Sequence, residues 1–231
     1  MEPRLLLLDN AIHRRLLHPY RHWAQHVRAI PFDLVNVPSG CSIPSIDNYT
    51  HLLVAGSETS IVEPKSWFEP EAETIRAAVR RRLPVLGSCF GHQMLVYALS
   101  GPEYLARAAR PEIGWTALQI LQDDDLLAGL PNPWHAFSYH FDEVVDPPNP
   151  WRVLARSRDC ATQVLRYEDL PVWGIQAHPE MPFLKACLFL GLYRLLVPRR
   201  RHVVLQQGRP TNEDRVTNRI VARFLAAGTE S

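Results

Sequence analysis

Over the first hundred residues, short uninterrupted apolar runs alternate with stretches of helical periodicity, and few folds accommodate that alternation. Leu5–Leu8 is apolar throughout and closes on Asp9 and Asn10. A strand with no polar alternation is one buried on both faces. Phe32–Val37 and His51–Ala55 repeat the pattern, the second halted by Gly56, and Val85–Leu86 follows Pro84. Between these runs Pro19–Ile30, Glu69–Leu83 and Gly91–Leu99 read as helices. The alternation predicts an α/β fold, an open, mostly parallel sheet flanked by helices on both faces.

The middle of the chain changes character. Ala117–Leu121, Ala136–Tyr139, Val153–Ala155 and Gln163–Tyr167 are short strands separated by acidic and proline-rich pieces. They predict a small antiparallel β layer inserted in, or attached to, the sheet. Val172–Ala177 reads as a last strand and Phe183–Val197 as an apolar helix. A closing helix starts near Thr211 and Asp214 and runs to Ala227. With no repeat and no low-complexity linker, residues 1–231 read as a single domain.

Composition excludes several classes. Twenty-five basic residues against 24 acidic ones give a net charge of +1, which is no electrostatic footprint for nucleic acid. Four cysteines without a CxxC pair support neither a disulfide framework nor a structural zinc site. No run reaches the 18 apolar residues of a membrane span, and Leu5–Leu8 is too short for a signal-peptide core. The expectation is a soluble, cytoplasmic protein with no membrane partner.

The chemistry concentrates at Gly87-Ser88-Cys89-Phe90-Gly91, between a strand and a helix. A sharp strand-to-helix turn strains the residue at its apex and needs small neighbours, so glycine on both sides is a steric requirement. The apex Cys89 is then presented at the carboxyl edge of the sheet, beside a helix N-terminus that favours the thiolate. The N–H of Phe90 points at a developing oxyanion, and a second donor comes from Gly56 or Ser57, on the same edge. A thiolate nucleophile needs a proton shuttle, itself oriented by a carboxylate. His178 and Glu180, two residues apart around Pro179 in Gln176-Ala-His-Pro-Glu180, supply both from one strand end. The elbow and this pair together read as a Cys89–His178–Glu180 triad.

Pro84-Val-Leu-Gly-Ser-Cys89-Phe-Gly-His-Gln93-Met-Leu95, followed by Gln176-Ala-His178-Pro-Glu180, resembles the triad class (class I) of glutamine amidotransferases. Asp125–Pro131, Tyr139–Val144 and Ala161–Gln163 are similar to segments of its stand-alone, GMP-synthase-amidotransferase-like members. The resemblance implies the flavodoxin-like class I amidotransferase fold. It implies attack of Cys89 on the side-chain amide of glutamine, loss of ammonia, and hydrolysis of a γ-glutamyl thioester. It also implies no cofactor, and a separate synthetase chain that accepts the ammonia. Gln93, Tyr139 and His140 match positions on the substrate side. Four departures stand out: Ser88 for an apolar residue, Ala177 for Phe, Phe141 for Gly, and Ala55-Gly56-Ser57-Glu58 for a Gly-Gly-Pro loop. A bulky Phe141 either narrows the pocket or recognises another γ-glutamyl tail. The alternative is therefore a γ-glutamyl peptidase or hydrolase using the same triad.

Other features point to no chemistry. His18, His22 and His26 share one helix face but lack a carboxylate or cysteine at matching spacing, so no metal is expected there. Asp123–Asp125 lacks the spacing of a calcium loop. Arg80–Arg82 and Arg199–Arg201 read as solvated surface. Cys187 reads as core, among Leu188, Phe189 and Leu190. Glu112 and Trp115 fall in a family-like EIGW segment without an assigned role.

Overall fold

The structure, a computed structural model, describes residues 2–13, 19–196, 204–206 and 213–228. Among the described residues ten strands form one mixed sheet. They are β1 (Leu5–Asp9), β2 (Phe32–Asn36), β3 (His51–Val54), β4 (Val85–Ser88), β5 (Leu105–Ile120), β6 (Trp134–Val144), β7 (Trp151–Arg156), β8 (Val164–Tyr167), β9 (Val172–Ile175) and β10 (Val204–Gln206). The helices are α1 (Pro19–His26), α2 (Phe68–Arg80), α3 (Phe90–Ser100), α4 (Phe183–Leu196) and α5 (Glu213–Ala226). Strands run in the order β10-β5-β7-β8-β9-β4-β3-β1-β2, with β6 paired to β5 outside this path. From β2 to β9 the pairing is parallel. From β9 through β8 and β7 to β5 and β6 it is antiparallel.

The consecutive leucines of β1 are explained by burial on both sides. Leu6 and Leu8 face one apolar cluster with α2 and α3, while Leu5 and Leu7 face a second with α1 and α5. β3 divides the same way, Leu52 and Val54 against Leu53. Each such leucine contributes roughly 1.5–3 kcal/mol by leaving water, so a polar residue on either face of β1 is costly. A third cluster seats α4, through Ala186, Leu190 and Tyr193, on Ile113, Trp115 and Phe137 of the β5–β6 arm. The other side of α4 leaves Leu184, Leu188, Leu192 and Leu195 exposed. Cys187, expected in the core, is exposed too, because the buried stripe of α4 runs through Ala186 and Leu190.

The expected antiparallel pieces β7 and β8 are attached to the sheet as its direct extension. Several elements differ in extent or pairing from the sequence reading. β5 begins at Leu105, twelve residues before Ala117, because its first half is an arm paired to β6 with mostly part-exposed residues. β10 falls where no element was expected and pairs in parallel with β5. α1 ends at His26 rather than Ile30. The expected features at His18, Arg199–Arg201 and Thr211 lie outside the described residues. Among the described residues no helix is long and apolar enough to cross a membrane.

Candidate active site

Strand β4 ends at Ser88 and α3 begins at Phe90, which leaves Cys89 alone at the turn with φ 52° and ψ −106°. A positive φ on a residue with a Cβ costs on the order of 1–3 kcal/mol and persists only where surroundings impose it. They do so here. The Cys89 N–H donates to Ile175 O of β9 at 2.8 Å, and Cys89 O accepts from the Gln93 N–H at 3.2 Å. The flanking glycines are required: a Cβ on Gly87 would stand 2.5 Å from Gly91 O, and one on Gly91 would overlap the carbonyl of Val54.

His178 enters from the end of β9. Its N–H donates to Phe137 O at 2.6 Å, a bridge between the histidine loop and β6. Its Nδ1 lies 2.8 Å from Glu180 Oε1, and the ring also meets the Cys89 thiol. With Nδ1–H given to the carboxylate, Nε2 is the atom left for the thiol. Burial works against the imidazolium, but the Cys89 and Glu180 charges and the hydrogen bonds to both outweigh it. The His178 pKa is raised well above its ordinary value. Glu180 is buried and receives a second, longer donor, the Ser88 hydroxyl at 3.4 Å. The polar residue before the nucleophile thus has a partner. Thr217 of α5 donates to Pro179 O at 2.5 Å, which fastens the His-Pro-Glu loop to the closing helix.

A cavity of about 550 Å³ opens on Cys89, lined among others by Ser57, Phe90, Gln93, Tyr139, Phe141 and Asp142. Gln93 is buried; its Nε2 donates to Asp142 O at 2.9 Å and to Gln176 Oε1 at 3.0 Å. Both amide hydrogens are thereby used, so its carbonyl is the part left for a ligand. Tyr139 O accepts from Cys89 Sγ at 3.8 Å. The Tyr139 ring meets Phe141 edge-on, with centroids 5.5 Å apart. His140 also reaches the cavity, but its ring is turned inward, Nε2 to Glu112 Oε2 at 3.0 Å and Nδ1 beside Asp142 O at 3.1 Å. Gly56 stands over the nucleophile: a Cβ there would be 3.6 Å from Cys89 Cβ and 3.2 Å from His178 Cε1. Phe90, first residue of α3, carries an N–H with no intrahelical acceptor. The Ser57 hydroxyl is committed to its own loop, donating to Asn10 O at 2.7 Å and accepting from the Thr59 N–H at 2.9 Å.

A family model described as glutamine amidotransferase class-I matches residues 6–183. The chain belongs to this family. A glutamine-hydrolyzing GMP synthase subunit from Saccharolobus solfataricus is 29% identical over 175 residues, covering 74% of this amidotransferase chain and 90% of that protein. The corresponding protein of Methanopyrus kandleri is 39% identical over 101 residues, 44% of this chain and 54% of that one. In Pyrococcus abyssi the figures are 35% over 99 residues, 43% and 52%. Against these last two relatives the chain spans about half their length. Among solved structures, a glutamine amidotransferase from Thermotoga maritima superposes with a TM-score of 0.78 at 20% identity over 100% of both chains. One from Methylobacillus flagellatus gives 0.75 at 21% identity, over 97% of this chain and 94% of that one. These two establish the fold of the amidotransferase.

Several residues around the site have partners that the sequence reading did not assign. Asp142 joins two walls of the pocket: Oδ2 accepts from Ser60 Oγ at 2.6 Å and the Ile61 N–H at 3.1 Å, and Oδ1 lies 3.1 Å from Arg107. Gln176 donates toward Cys89 Sγ at 3.7 Å; its position two residues before His178, on the same side of an extended segment, is the clue that was available. Glu112, His140 and Cys160 are close enough to hold a metal ion. However, the Glu112 oxygens are already bonded by Ser157 at 2.7 Å, Gln163 at 2.5 Å and His140. Burial also pushes the Cys160 thiol up to about 12, away from the thiolate a metal needs. The cluster is a hydrogen-bonded prop beneath the Tyr139–Asp142 strand. The helical histidine stripe also divides: His26 Nδ1 meets Asn218 Oδ1 at 2.8 Å, while His22 lines a small cavity behind His178 and Glu180.

Proposed function

We propose that this chain, as one amidotransferase domain, hydrolyses the side-chain amide of glutamine and releases the ammonia to a separate synthetase chain. One observation carries the reading: a strained, buried cysteine at a strand-to-helix elbow in contact with a histidine held 2.8 Å from a buried glutamate. His178 takes the thiol proton, and Cys89 Sγ attacks the amide carbon. The oxygen, now negative, is met by the N–H groups of Phe90 and Gly56, with Ser57 supporting the loop through its hydroxyl. Collapse breaks the C–N bond as His178 returns the proton to the leaving nitrogen, so ammonia departs and a γ-glutamyl thioester remains. Water, deprotonated by His178, then gives glutamate and the free thiol. Gln93 and the Tyr139–Phe141 strand line the substrate side, with His140 acting from beneath. The relatives named as GMP synthase subunits support a partner chain as the ammonia acceptor. The test is glutamate release from glutamine by the purified protein, alone and with candidate synthetases added. Absence of turnover in every combination removes the reading.

The direction of the His178 shift sets the pH dependence. With its pKa raised, His178 keeps its proton through neutrality, and the proton is lost as pH rises through the raised value. Since that proton is needed by the leaving nitrogen, kcat is expected to fall on the alkaline side. A pH–rate profile that instead rises steadily into alkali contradicts this role. The cavity favours a second reading. Its volume of about 550 Å³ lies in the range of roughly 300–1,000 Å³ that holds drug-sized ligands, so a γ-glutamyl conjugate fits as well as free glutamine. Comparing kcat/KM for glutamine and for γ-glutamyl dipeptides separates the two, and a clear preference for glutamine eliminates the peptidase.

A further inference from the structure

Beneath the loop that carries Gly56 lies a buried pair that the reaction does not use. Asn10, just past β1, donates through Nδ2 to Ala55 O at 3.2 Å and to Glu71 Oε1, on α2, at 2.8 Å. Its backbone oxygen accepts from the Ser57 hydroxyl at 2.7 Å. Asn10 therefore grips the turn on both sides of Gly56. The bond to Ala55 O matters most. In a trans peptide the carbonyl and the following N–H lie in one rigid plane and point in opposite directions. Fixing Ala55 O fixes the direction of the Gly56 N–H.

Asn10 and Glu71 are both fully buried, and each has one oxygen without a partner, Asn10 Oδ1 and Glu71 Oε2. Two acceptors cannot satisfy each other. A carboxylic acid and a carboxamide can, as a ring in which the amide N–H meets one carboxyl oxygen and the acid O–H meets the amide oxygen. A buried, unpaired carboxylate is the costly alternative. Burial indeed pushes the Glu71 carboxyl up to about 8, with the Asn10 hydrogen bond opposing. Charged groups on the neighbouring elements have their own partners. Asp9 accepts from Asn36 and the Ala11 N–H, Glu58 accepts from the His13 N–H, and His178 pairs with Glu180.

We propose that Glu71 is a positioning residue: as a protonated acid ringed with Asn10, it sets the Ala55–Gly56 peptide so that the Gly56 N–H faces the reacting carbonyl at Cys89. The proposal rests on the assignment of Gly56 to the oxyanion hole. Loss of the Glu71 proton breaks the ring, leaves a buried carboxylate against the Asn10 oxygen, and turns the amide that holds Ala55 O.

Glutaminase kinetics on wild type, Glu71→Gln and Asn10→Ala, with carboxyl-carbon NMR across pH 6–9.5, test it. Glutamine at position 71 preserves the ring, its amide donating where the acid did, but does not titrate. Glu71→Gln should keep kcat within about 3-fold near neutrality and hold it to higher pH than wild type. Asn10→Ala should lower kcat roughly 10–100-fold with KM changed less than about 3-fold, part of the loss seen when an oxyanion donor is removed. One glutamate carboxyl should titrate far above the ordinary range in wild type and be missing from Glu71→Gln. If Asn10→Ala does not fold, the alkaline shift in Glu71→Gln and the NMR titration decide the matter. Wild-type turnover without a high-titrating carboxyl, or Asn10→Ala at wild-type kcat, overturns the proposal for Glu71 alone. A high-titrating carboxyl in a wild type that does not hydrolyse glutamine strikes the glutaminase reading and the oxyanion assignment with it, and leaves the acid–amide ring standing.

Discussion

Cys89→Ala is expected to reduce glutamate release by at least about 10⁴-fold, as loss of a covalent nucleophile does in other hydrolases. The variant should still fold. Besides meeting the His178 ring, the thiol makes long contacts, 3.8 Å to Tyr139 O and 3.7 Å from Gln176 Nε2, and alanine at φ 52° carries the same backbone strain as cysteine. Melting within a few degrees of wild type, by circular dichroism, separates lost chemistry from lost structure. The imidazole provides an independent readout. Part of what raises its pKa is the Cys89 charge, so in Cys89→Ala the His178 titration followed by NMR should move downward. Replacing Cys41 or Cys187, both exposed, should leave turnover at the wild-type level. Glutamate release that survives in Cys89→Ala would falsify the covalent route.

The candidate triad, whose catalytic role is the proposal above, could be picked out because its constraints are local. Gly87 and Gly91 are demanded by contacts within a five-residue turn and with one neighbouring strand, and His178 and Glu180 are two residues apart. What escaped the sequence depends on long separations. Asn10 meets Glu71 across 61 positions, Gln93 meets Gln176 across 83, and Asp142 meets Ser60 across 82. No periodicity encodes such pairs, and a buried glutamate on an amphipathic helix looks in sequence like any solvated one. The sheet follows the same division. β1, β3 and β4 announce themselves because both faces are buried. The first half of β5 does not, since Ala106–Pro111 is mostly part-exposed, its register shifts between Arg107 and Glu112, and Pro111 has no N–H for a regular ladder. The expected antiparallel pieces were real, but only strand pairing reveals that β7 and β8 extend the sheet.

Two glycine substitutions should move stability in opposite directions. Gly91 sits in the first turn of α3, where a Cβ would overlap the Val54 carbonyl, with its carbon at 2.7 Å and the Val54 Cβ at 3.1 Å. Those obstacles are mainly backbone of β3, itself paired to β1 and β4, so no side-chain rotation relieves them. Overpacking against a yielding core typically costs about 1–3 kcal/mol; here the wall cannot yield, and Gly91→Ala should cost more than about 3 kcal/mol, a large share of a domain's stability. Any shift of α3 that relieves the overlap also moves Phe90 and Gln93, so activity should fall even at temperatures where the variant remains folded. Gly191 is the counterpart. It lies within α4, exposed, with nothing within 4 Å of a built Cβ. There alanine gains helix propensity without a clash, and Gly191→Ala should stabilise by up to about 1 kcal/mol. Urea midpoints read both changes at constant m-value. A Gly91→Ala protein as stable and active as wild type would mean that α3 and β3 are not packed as closely as the elbow requires, and the geometry that presents Cys89 would fall with it.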